Sequence, residues 1–333
     1  MEVTSMNMQE SLMLANWRQL ERNQQRELFN QILLYYVNPL LQIGQTDFVN
    51  FTISGERITT LATWIQGERF IFVPGQSTLM VGWANEGAPI DWTTFKPTTT
   101  ATELTDIAAV QQYVEQFTSA PREAALAPLL VAESALPVDR QVRGIYHSVT
   151  GRFTGDQSFF HKYRRELMLA LQPKTDVLNP FMTDAVEAQV TEHVSLRVLA
   201  DGVSYQACEL IPTTYGELKQ RIEQRGFDLP TPAEWEYLAN SGQTTLFPWG
   251  NQLVHTGAVK NGFNLTFASD HSYELTDDLG VLKLGPAASQ GEALIERQLP
   301  HSAYYQLPIA VTLEQALPAA QYAYRKVIRV TFD

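Results

Sequence analysis

Two helix-start signals that lie close together constrain the fold of this chain more than any other feature. The more informative one lies in residues 226–251, where Thr231 and Glu234 stand three residues apart, the spacing of a capping box. Pro232 occupies the first helical position, where its missing N–H costs nothing. A Ser-Gly pair at 241–242 provides the stop. These residues predict a short, well-capped helix.

One face of this predicted helix is apolar. Trp235, Leu238 and Ala239 recur at helical spacing, so we expect them to be buried together. A second helix of the same kind is predicted in 214–226, with a Thr–Glu capping box at its start and a glycine at its end. Four conspicuous aromatic and turn positions are expected to serve the fold rather than a ligand, namely Trp235, Tyr237, Trp249 and Gly250.

The same run resembles the signature of the formylglycine-generating enzyme (sulfatase-modifying factor) family. That family typically carries Arg-Leu-Pro-Thr-Glu-Ala-Glu-Trp-Glu-Tyr-Ala, a glycine-rich step, and then Tyr-Pro-Trp-Gly-Asn. The signature positions that match in this chain are Pro230, Thr231, Glu234, Trp235, Glu236, Trp249, Gly250 and Asn251. The resemblance implies an α+β protein with the C-type-lectin-like fold of that family.

Two further stretches carry the resemblance. Residues 72–82 are similar to the family's opening sequence, Phe-Val-Pro-Gly-Gly-x-Phe-x-Met-Gly, with Gln76 in place of the second glycine. Residues 324–332 resemble its closing strand, Gly-Phe-Arg-Val-x-Arg, without the glycine. The expected organisation is therefore a sulfatase-modifying-factor-like domain over 65–333, preceded by a helical and strand lead-in over 1–64.

Hydrophobic patterning predicts the remaining elements. Helices are expected in 16–37 (two short helices or one kinked helix), 104–117 and 159–171. Strands are expected in 47–54, 139–150 and 193–199, and a loop or insertion in 173–188. The resemblance to the family implies a further strand in 122–133. Residues 69–83 predict two strands that form a hairpin around the turn pair Pro74-Gly75.

Composition limits the partners that we expect. The 333 residues are 44% hydrophobic and 18% charged, which is typical of a globular protein. The formal net charge is -12 and the acidic excess is spread along the chain, which argues against nucleic acid or an anionic membrane as partner. We expect no signal peptide and no membrane span. The single cysteine excludes an internal disulfide and favours a cytoplasmic location.

The resemblance also implies chemistry, and the residues that would carry it are missing. The family's oxidases use two active-site cysteines with copper, and two thiolates suit that soft metal. This chain has only Cys208, upstream of the signature, where we expect it to replace a core residue. Formylglycine-generating activity is therefore not expected, and no catalytic residue or cofactor is assigned.

A related branch of the superfamily binds non-haem iron through a helical His-x-x-x-His-x-Glu motif. The six histidines of this chain lie far apart, so no local site of that kind is predicted. A site assembled from distant residues, such as His255 with His271 and Asp270, stays open. The prediction for each histidine by itself is a surface or core role.

The segment after the signature departs from the family. Residues 261–265 resemble its Asn-x-Phe-Gly-Leu, with Asn264 where glycine is usual, and the Asn-Val-Trp-Glu-Trp that follows in relatives is absent. The candidates for a ligand-binding loop are Asn264, Asp270, His271 and Glu274. Glu274, Asp277 and Asp278 could also converge on a structural calcium ion. The favoured interpretation of these three is a solvated turn, because a glycine follows.

The leading hypothesis is a non-catalytic cytoplasmic homologue that acts as a binding or interaction module for an unknown protein or small-molecule ligand. One alternative is an enzyme of the same superfamily, oxidoreductase or metal-dependent, whose active site is assembled from loops. A second alternative is an architectural subunit of a complex. Fold similarity by itself does not choose between them.

Overall fold

The computed structural model describes residues 7–84, 92, 106–172, 188–253, 261–267, 272–285, 294–307 and 309–332. The helices in these ranges are α1 (Met8–Ser11), α2 (Leu14–Trp17), α3 (Arg22–Tyr36), α4 (Ile107–Gln116), α5 (Gln157–Ala170), α6 (Tyr215–Glu223), α7 (Pro232–Asn240) and α8 (Leu294–Gln298). The strands are β1 (Ile43–Ile53), β2 (Glu56–Ile65), β3 (Glu68–Val73), β4 (Gln76–Val81), β5 (Arg122–Leu126), β6 (Leu129–Ala132), β7 (Leu136–Pro137), β8 (Arg140–His147), β9 (Arg152–Gly155), β10 (Ala188–Val190), β11 (Val194–Val198), β12 (Ser204–Leu210), β13 (Tyr273–Leu275), β14 (Leu282–Leu284), β15 (Tyr322–Tyr324) and β16 (Val327–Arg329).

The architecture is α+β, as expected, and its strand pairing is mostly antiparallel. The first sheet has the order β1-β2-β3-β6-β16. Two-residue turns join its first three strands, Ser54-Gly55 between β1 and β2 and Gln66-Gly67 between β2 and β3. All four turn residues have positive φ, which matches the right-handed twist of the flanking strands.

The second sheet forms a smaller layer with its own core. Its order is β10-β11-β12-β8-β9, and α5 lies against it. Phe153 on β9 packs between Phe159 and Phe160 of α5, and its ring is stacked on that of Phe160 at 4.8 Å. The predicted helix at 159–171 and the predicted strands at 139–150 and 193–199 are thereby confirmed. The expected loop at 173–188 lies outside the described residues except for its last residue.

The predicted hairpin over 69–83 is wrong. Strands β3 and β4 do form on either side of Pro74-Gly75, but β3 pairs with β2 and β6 while β4 pairs with β5. The physical reason is that the backbone of Gly75 forms hydrogen bonds with the N-terminal segment. Its N–H donates to the carbonyl of Leu12 at 3.1 Å, and its carbonyl accepts from Leu14 at 2.8 Å.

The expected closing strand is divided in two. Strand β15 lies in the third sheet, of order β14-β13-β15-β7, while β16 lies at the edge of the first sheet. Between them the side chains of Arg325 and Lys326 are buried, and they pair with Glu274 and Glu68 respectively. The two adjacent cations thus pair with acids that lie far apart in the chain.

The N-terminal helices pack on the first sheet. The rings of Trp17 and Phe29 contact Phe72 of β3, with centroids 4.7 and 6.2 Å apart. The expected division between 1–64 and 65–333 falls within β2, so strands on both sides of it share one sheet. The division itself stays a prediction. Among the described residues, no helix is both long and apolar enough to cross a lipid bilayer.

Candidate functional site

The signature helix is α7, and its ends form as predicted. The Thr231 hydroxyl accepts from the N–H of Glu234 at 3.1 Å, and the Glu234 carboxylate accepts from the N–H of Thr231 at 2.7 Å. Pro232 begins the helix, and Ser241 ends it in the left-handed conformation with φ +53°. The helix is buried on nearly all sides, because residues 234–240 are all buried. It is therefore a core element rather than a surface platform.

Glu234 joins α7 to the last strand. Its two carboxylate oxygens accept from Nε and an Nη of Arg329, both at 2.7 Å, and Arg329 also pairs with Asp228 at 3.1 Å. Burial alone would lower the pKa of Arg329, but the carboxylates of Glu234, Asp228 and Asp277 together raise it. The bidentate geometry holds β16 against the start of α7.

Glu236 holds a second interior ion pair. Its Oε1 lies 2.7 Å from Nζ of Lys283, and both side chains are fully buried. Its Oε2 accepts from the N–H of Gly82 at 3.0 Å and lies 3.5 Å from Arg122. Burial lowers the pKa of Lys283, and the nearby Glu236 opposes this. Both oxygens of this carboxylate therefore have donors from the protein itself.

Glu274, one of the ligand-loop candidates, is an interior residue. Its carboxylate accepts from the indole N–H of Trp235 at 2.7 Å and from Arg325 at 3.2 Å, and its side chain is 0% exposed. The expectation that Glu274 belongs to a solvated turn is wrong, because the exposed turn begins later, around Asp278 and Gly280. The carboxylate is held away from those two residues by its pairing with Arg325.

The second half of the signature forms a compact turn. Phe247 and Trp249 stack at 4.8 Å with an interplanar angle of 2°, and Phe247 exchanges backbone hydrogen bonds with Gly250. Asn251 accepts from the N–H of Leu246 at 2.8 Å through its side-chain oxygen. These contacts give the three signature residues at 249–251 a local structural role.

The remaining candidate residues do not come together at one site in the described structure. Pro230 is buried and its carbonyl accepts from the N–H of Asp277 at 3.0 Å. Asn264 has φ +59° and donates through its side-chain amide to the carbonyl of Asn50 at 2.9 Å. Asp270 and His271 lie outside the described residues. No group of three His, Cys, Asp or Glu side chains in the described ranges is arranged to hold a metal ion.

Cys208 is a core residue on β12, as predicted, and it is 3% exposed. Burial raises the pKa of its thiol to about 11, and the charge of Glu68 acts in the same direction. At neutral pH the side chain is therefore the protonated thiol, which is neither the nucleophile nor the metal ligand.

An open cavity lined by described residues lies away from the signature. It measures about 430 Å³ and is bounded by residues 38–42, Gln66, the adjoining strands β8 and β9, and the end of α6. We call it the arginine cleft because Arg143 and Arg225 both line it. A smaller cavity of about 220 Å³ lies over Glu236 and Tyr237. Of these two cavities, the arginine cleft alone has cationic side chains in its lining.

Sequence reasoning did not single out Arg225. A signal was present, since a basic residue directly before the helix-ending Gly226 is favoured at a helix C-terminus. Lys283 and Arg325 gave no such signal, because nothing in their neighbourhood in the chain distinguishes a buried cation from an exposed one.

Comparison with known proteins adds no relative to this picture. No protein-family model matches the chain, and a search of curated proteins finds no match. Its function is therefore inferred from its own residues and their geometry.

Proposed function

We propose that this chain is a non-catalytic member of the formylglycine-generating enzyme superfamily, with the C-type-lectin-like fold of that superfamily, and that it acts as a ligand-binding module. The α+β architecture and the capped helix α7 support the fold assignment. The single observation that carries the functional part is the state of Cys208. The oxidases of the superfamily need two reactive cysteines, and the one cysteine here is buried and protonated.

The acidic residues of the signature support the same proposal. Glu234 is paired with Arg329 and Glu236 with Lys283. A general acid or base has to reach a substrate proton, and a carboxylate that is already held by buried donors cannot do so without breaking an interior ion pair. The charged groups of α7 therefore stabilise the fold rather than a reaction.

A departure from the family's signature fits this role. Asp228 stands where the family carries arginine before Leu-Pro-Thr, and it pairs with Arg329 at 3.1 Å. In this chain the position therefore carries a negative charge that contacts the last strand.

The proposal includes a class of partner. A net charge of -12 disfavours nucleic acid and anionic membranes, so a small molecule or a protein is the expected partner. The buried, unpaired cysteine is suited to a reducing cytoplasm.

A peptide-oxidation assay tests the proposal. The purified protein is supplied with copper(I), oxygen and a cysteine-bearing peptide, and aldehyde formation is measured by mass spectrometry, with Cys208→Ala as the matched control. We expect no aldehyde above the level of peptide alone in either protein. Aldehyde that forms with the wild type and disappears in Cys208→Ala would overturn the proposal, as would stoichiometric copper or iron in the purified protein.

Thiol labelling tests directly whether Cys208 is buried in the native protein. Ellman's reagent is expected to react slowly with the native protein and to titrate one thiol per chain in denaturant, because only unfolding exposes Cys208. Rapid labelling of the native protein would contradict the buried, protonated state on which the proposal rests.

A further inference from the structure

The arginine cleft is built by parts of the chain that are far apart in sequence. Gln66 lies at the tip of the β2–β3 turn, where its N–H donates to the carbonyl of Gln42 at 2.9 Å. Its φ of +52° is uncommon for a residue other than glycine, and the turn directs it to the rim of the cleft. On the same side, the side chain of Asn38 accepts from the N–H of Leu40 at 3.0 Å. These hydrogen bonds fix the part of the cleft formed by residues 38–42 and Gln66.

The end of α6 forms the opposite wall and positions Arg225. The N–H of Gly226 donates to the carbonyl of Glu223 at 2.9 Å, and that of Phe227 donates to Ile222 at 3.1 Å. This is the hydrogen-bond pattern of a Schellman ending, with Gly226 at φ +81°. Phe227 and Ile222 are both buried, so the ending is anchored in the core. Arg225 therefore has a defined place at the cleft.

Arg143 is already neutralised. Its guanidinium donates to the Glu209 carboxylate through Nε at 2.8 Å and through one Nη, and its other Nη donates to Asp156 at 3.3 Å. Asp156 is itself engaged, because it caps α5 by accepting from the N–H of Phe159 at 3.0 Å. The cluster of Arg143, Glu209 and Asp156 carries one net negative charge, which the exposed Lys162 offsets from 3.8 Å away from Glu209.

Arg225 is different. In the described part of the chain, no acidic side chain lies within ion-pair distance of its guanidinium, although it is only partly exposed. Burial lowers the pKa of Arg225, and the charges of Arg143 and Arg221 act in the same direction, while Tyr324 and Asp156 oppose them. An anion in the cleft would compensate this charge.

Neutral hydrogen-bonding groups surround this cation. The side-chain amides of Gln42, Gln66 and Gln224 line the cleft, and within the described residues none of the three makes a hydrogen bond to the protein. Each amide offers two donors and an acceptor. A ligand that fills the cleft therefore meets one positive charge and several polar contacts of both kinds.

We propose that the arginine cleft binds a small polar ligand through a single carboxylate held by Arg225. A guanidinium presents two parallel N–H groups that match the two oxygens of a carboxylate. A ligand with two or more negative charges would find only this one uncompensated cation, on a protein of net charge -12. The volume of about 430 Å³ is within the range of small-molecule sites.

This inference rests on the proposed role as a binding module, and it names the site and the ligand class. The carboxylate can come from a free hydroxy acid or from the C-terminus of a short peptide. Four probes separate these sources: gluconate, its uncharged analogue glucitol, the peptide Ala-Ser-Gln with a free C-terminus, and the same peptide amidated. Inorganic phosphate is the fifth probe and tests the preference for a single charge.

Titration calorimetry on the full chain is the experiment. We expect gluconate or the free-acid peptide to bind with a Kd of about 1 mM or tighter, with no heat from glucitol or the amidated peptide. Arg225→Gln should weaken binding by at least about tenfold. Lys219→Gln removes the same charge from α6 outside the cleft and should leave binding unchanged. Gln66→Glu, which places a negative charge on the rim, should weaken binding as Arg225→Gln does.

Three results would overturn the inference: wild-type protein that binds none of the carboxylates, binding that survives both Arg225→Gln and Gln66→Glu, or phosphate bound as tightly as the carboxylates. Each of these would leave the non-catalytic proposal standing, because that proposal depends on the peptide-oxidation assay. Conversely, aldehyde formation in that assay would end the non-catalytic proposal whatever binds in the cleft. Unfolding midpoints of all variants, followed by circular dichroism, confirm that folded proteins are compared.

Discussion

Lys283 and Glu236 form an ion pair in the protein interior, with Nζ 2.7 Å from Oε1 and neither side chain more than 1% exposed. The cation also lies 5.8 Å from the centroid of the Trp235 ring. The pair connects α7 to β14, and Glu236 continues the connection to the N–H of Gly82 beyond β4. One carboxylate thus joins three separate segments.

Removing the Lys283 cation should lower the free energy of unfolding. Lys283→Met leaves Glu236 buried without its partner, so we expect a loss of about 3–5 kcal/mol in the free energy of unfolding. Urea unfolding measures it. Lys219→Met removes the cation of the exposed pair with Glu223 and should cost no more than about 0.5 kcal/mol. The double variant Lys283→Met with Glu236→Gln should recover part of the loss, and equal costs for the two lysines would contradict the interior role of Lys283.

The two Thr–Glu capping boxes, on α6 and α7, provide a matched comparison at the third helical position. Glu217 on α6 only completes its box, whereas Glu234 on α7 also binds Arg329. We expect Glu217→Ala to cost about 1 kcal/mol and Glu234→Ala about 3 kcal/mol or more, because it also leaves Arg329 unpaired on that side. Thermal unfolding of the two variants checks this, and similar midpoints would show that the contact with Arg329 adds nothing.

Stability should depend on alkaline pH through Cys208. Burial raises the pKa of the thiol from its ordinary 9.0 to about 11 in the folded protein. The folded state therefore keeps a proton that the unfolded state loses, and the contribution to stability is full below about 9 and is lost as the pH rises through about 11. Between about pH 8 and pH 10 we expect a decrease of about 1 kcal/mol that is specific to this group.

Cys208→Ala isolates that contribution. The cavity it creates lowers stability by an amount that does not change with pH, while buried tyrosines such as Tyr237 and Tyr304 titrate in both proteins. The difference in unfolding free energy between wild type and variant should therefore shrink as the pH rises. Parallel curves for the two proteins would contradict the raised pKa of the thiol.

Two glycines with the same backbone angle should respond differently to alanine. Gly55 and Gly82 both have φ +86°, but a Cβ at Gly55 meets nothing within 4 Å, whereas at Gly82 it would lie 2.1 Å from the carbonyl oxygen of Ala120. Gly55→Ala should cost about 1–2 kcal/mol from strain alone. Gly82→Ala should cost at least about 2 kcal/mol more, because it also displaces the N–H that binds Glu236. Chemical denaturation of both variants tests this, and equal costs would contradict it.

What could be predicted from the sequence was local. The capping box at Thr231 and Glu234 involves residues three apart, so propensity and spacing were sufficient to place α7. Burial of Cys208 also followed from its chemistry. The pairing of β3 failed as a prediction because Gly75 binds the N-terminal segment, and no pattern near Pro74 reveals that contact.

The interior charges could not be predicted for the same reason. Glu274 was read as part of an exposed acidic turn, since its partner Arg325 lies 51 residues further along the chain. The arginine cleft likewise joins Gln66, Arg143 and Arg225, which only the folded chain brings together. Sequence spacing is sufficient to predict a turn of helix. Whether a charged side chain is buried, however, depends on which distant segments pack against it.

The late position of these cations has a consequence for the protein's synthesis. Glu236 lies 47 residues before Lys283, and Glu68 lies 258 residues before Lys326. While residues 321–329 are still inside the ribosomal exit tunnel, Glu68 and Glu234 lack their partners Lys326 and Arg329. Burying these carboxylates without their counter-charge is costly, so we expect the core to be completed only after strand β16 has emerged.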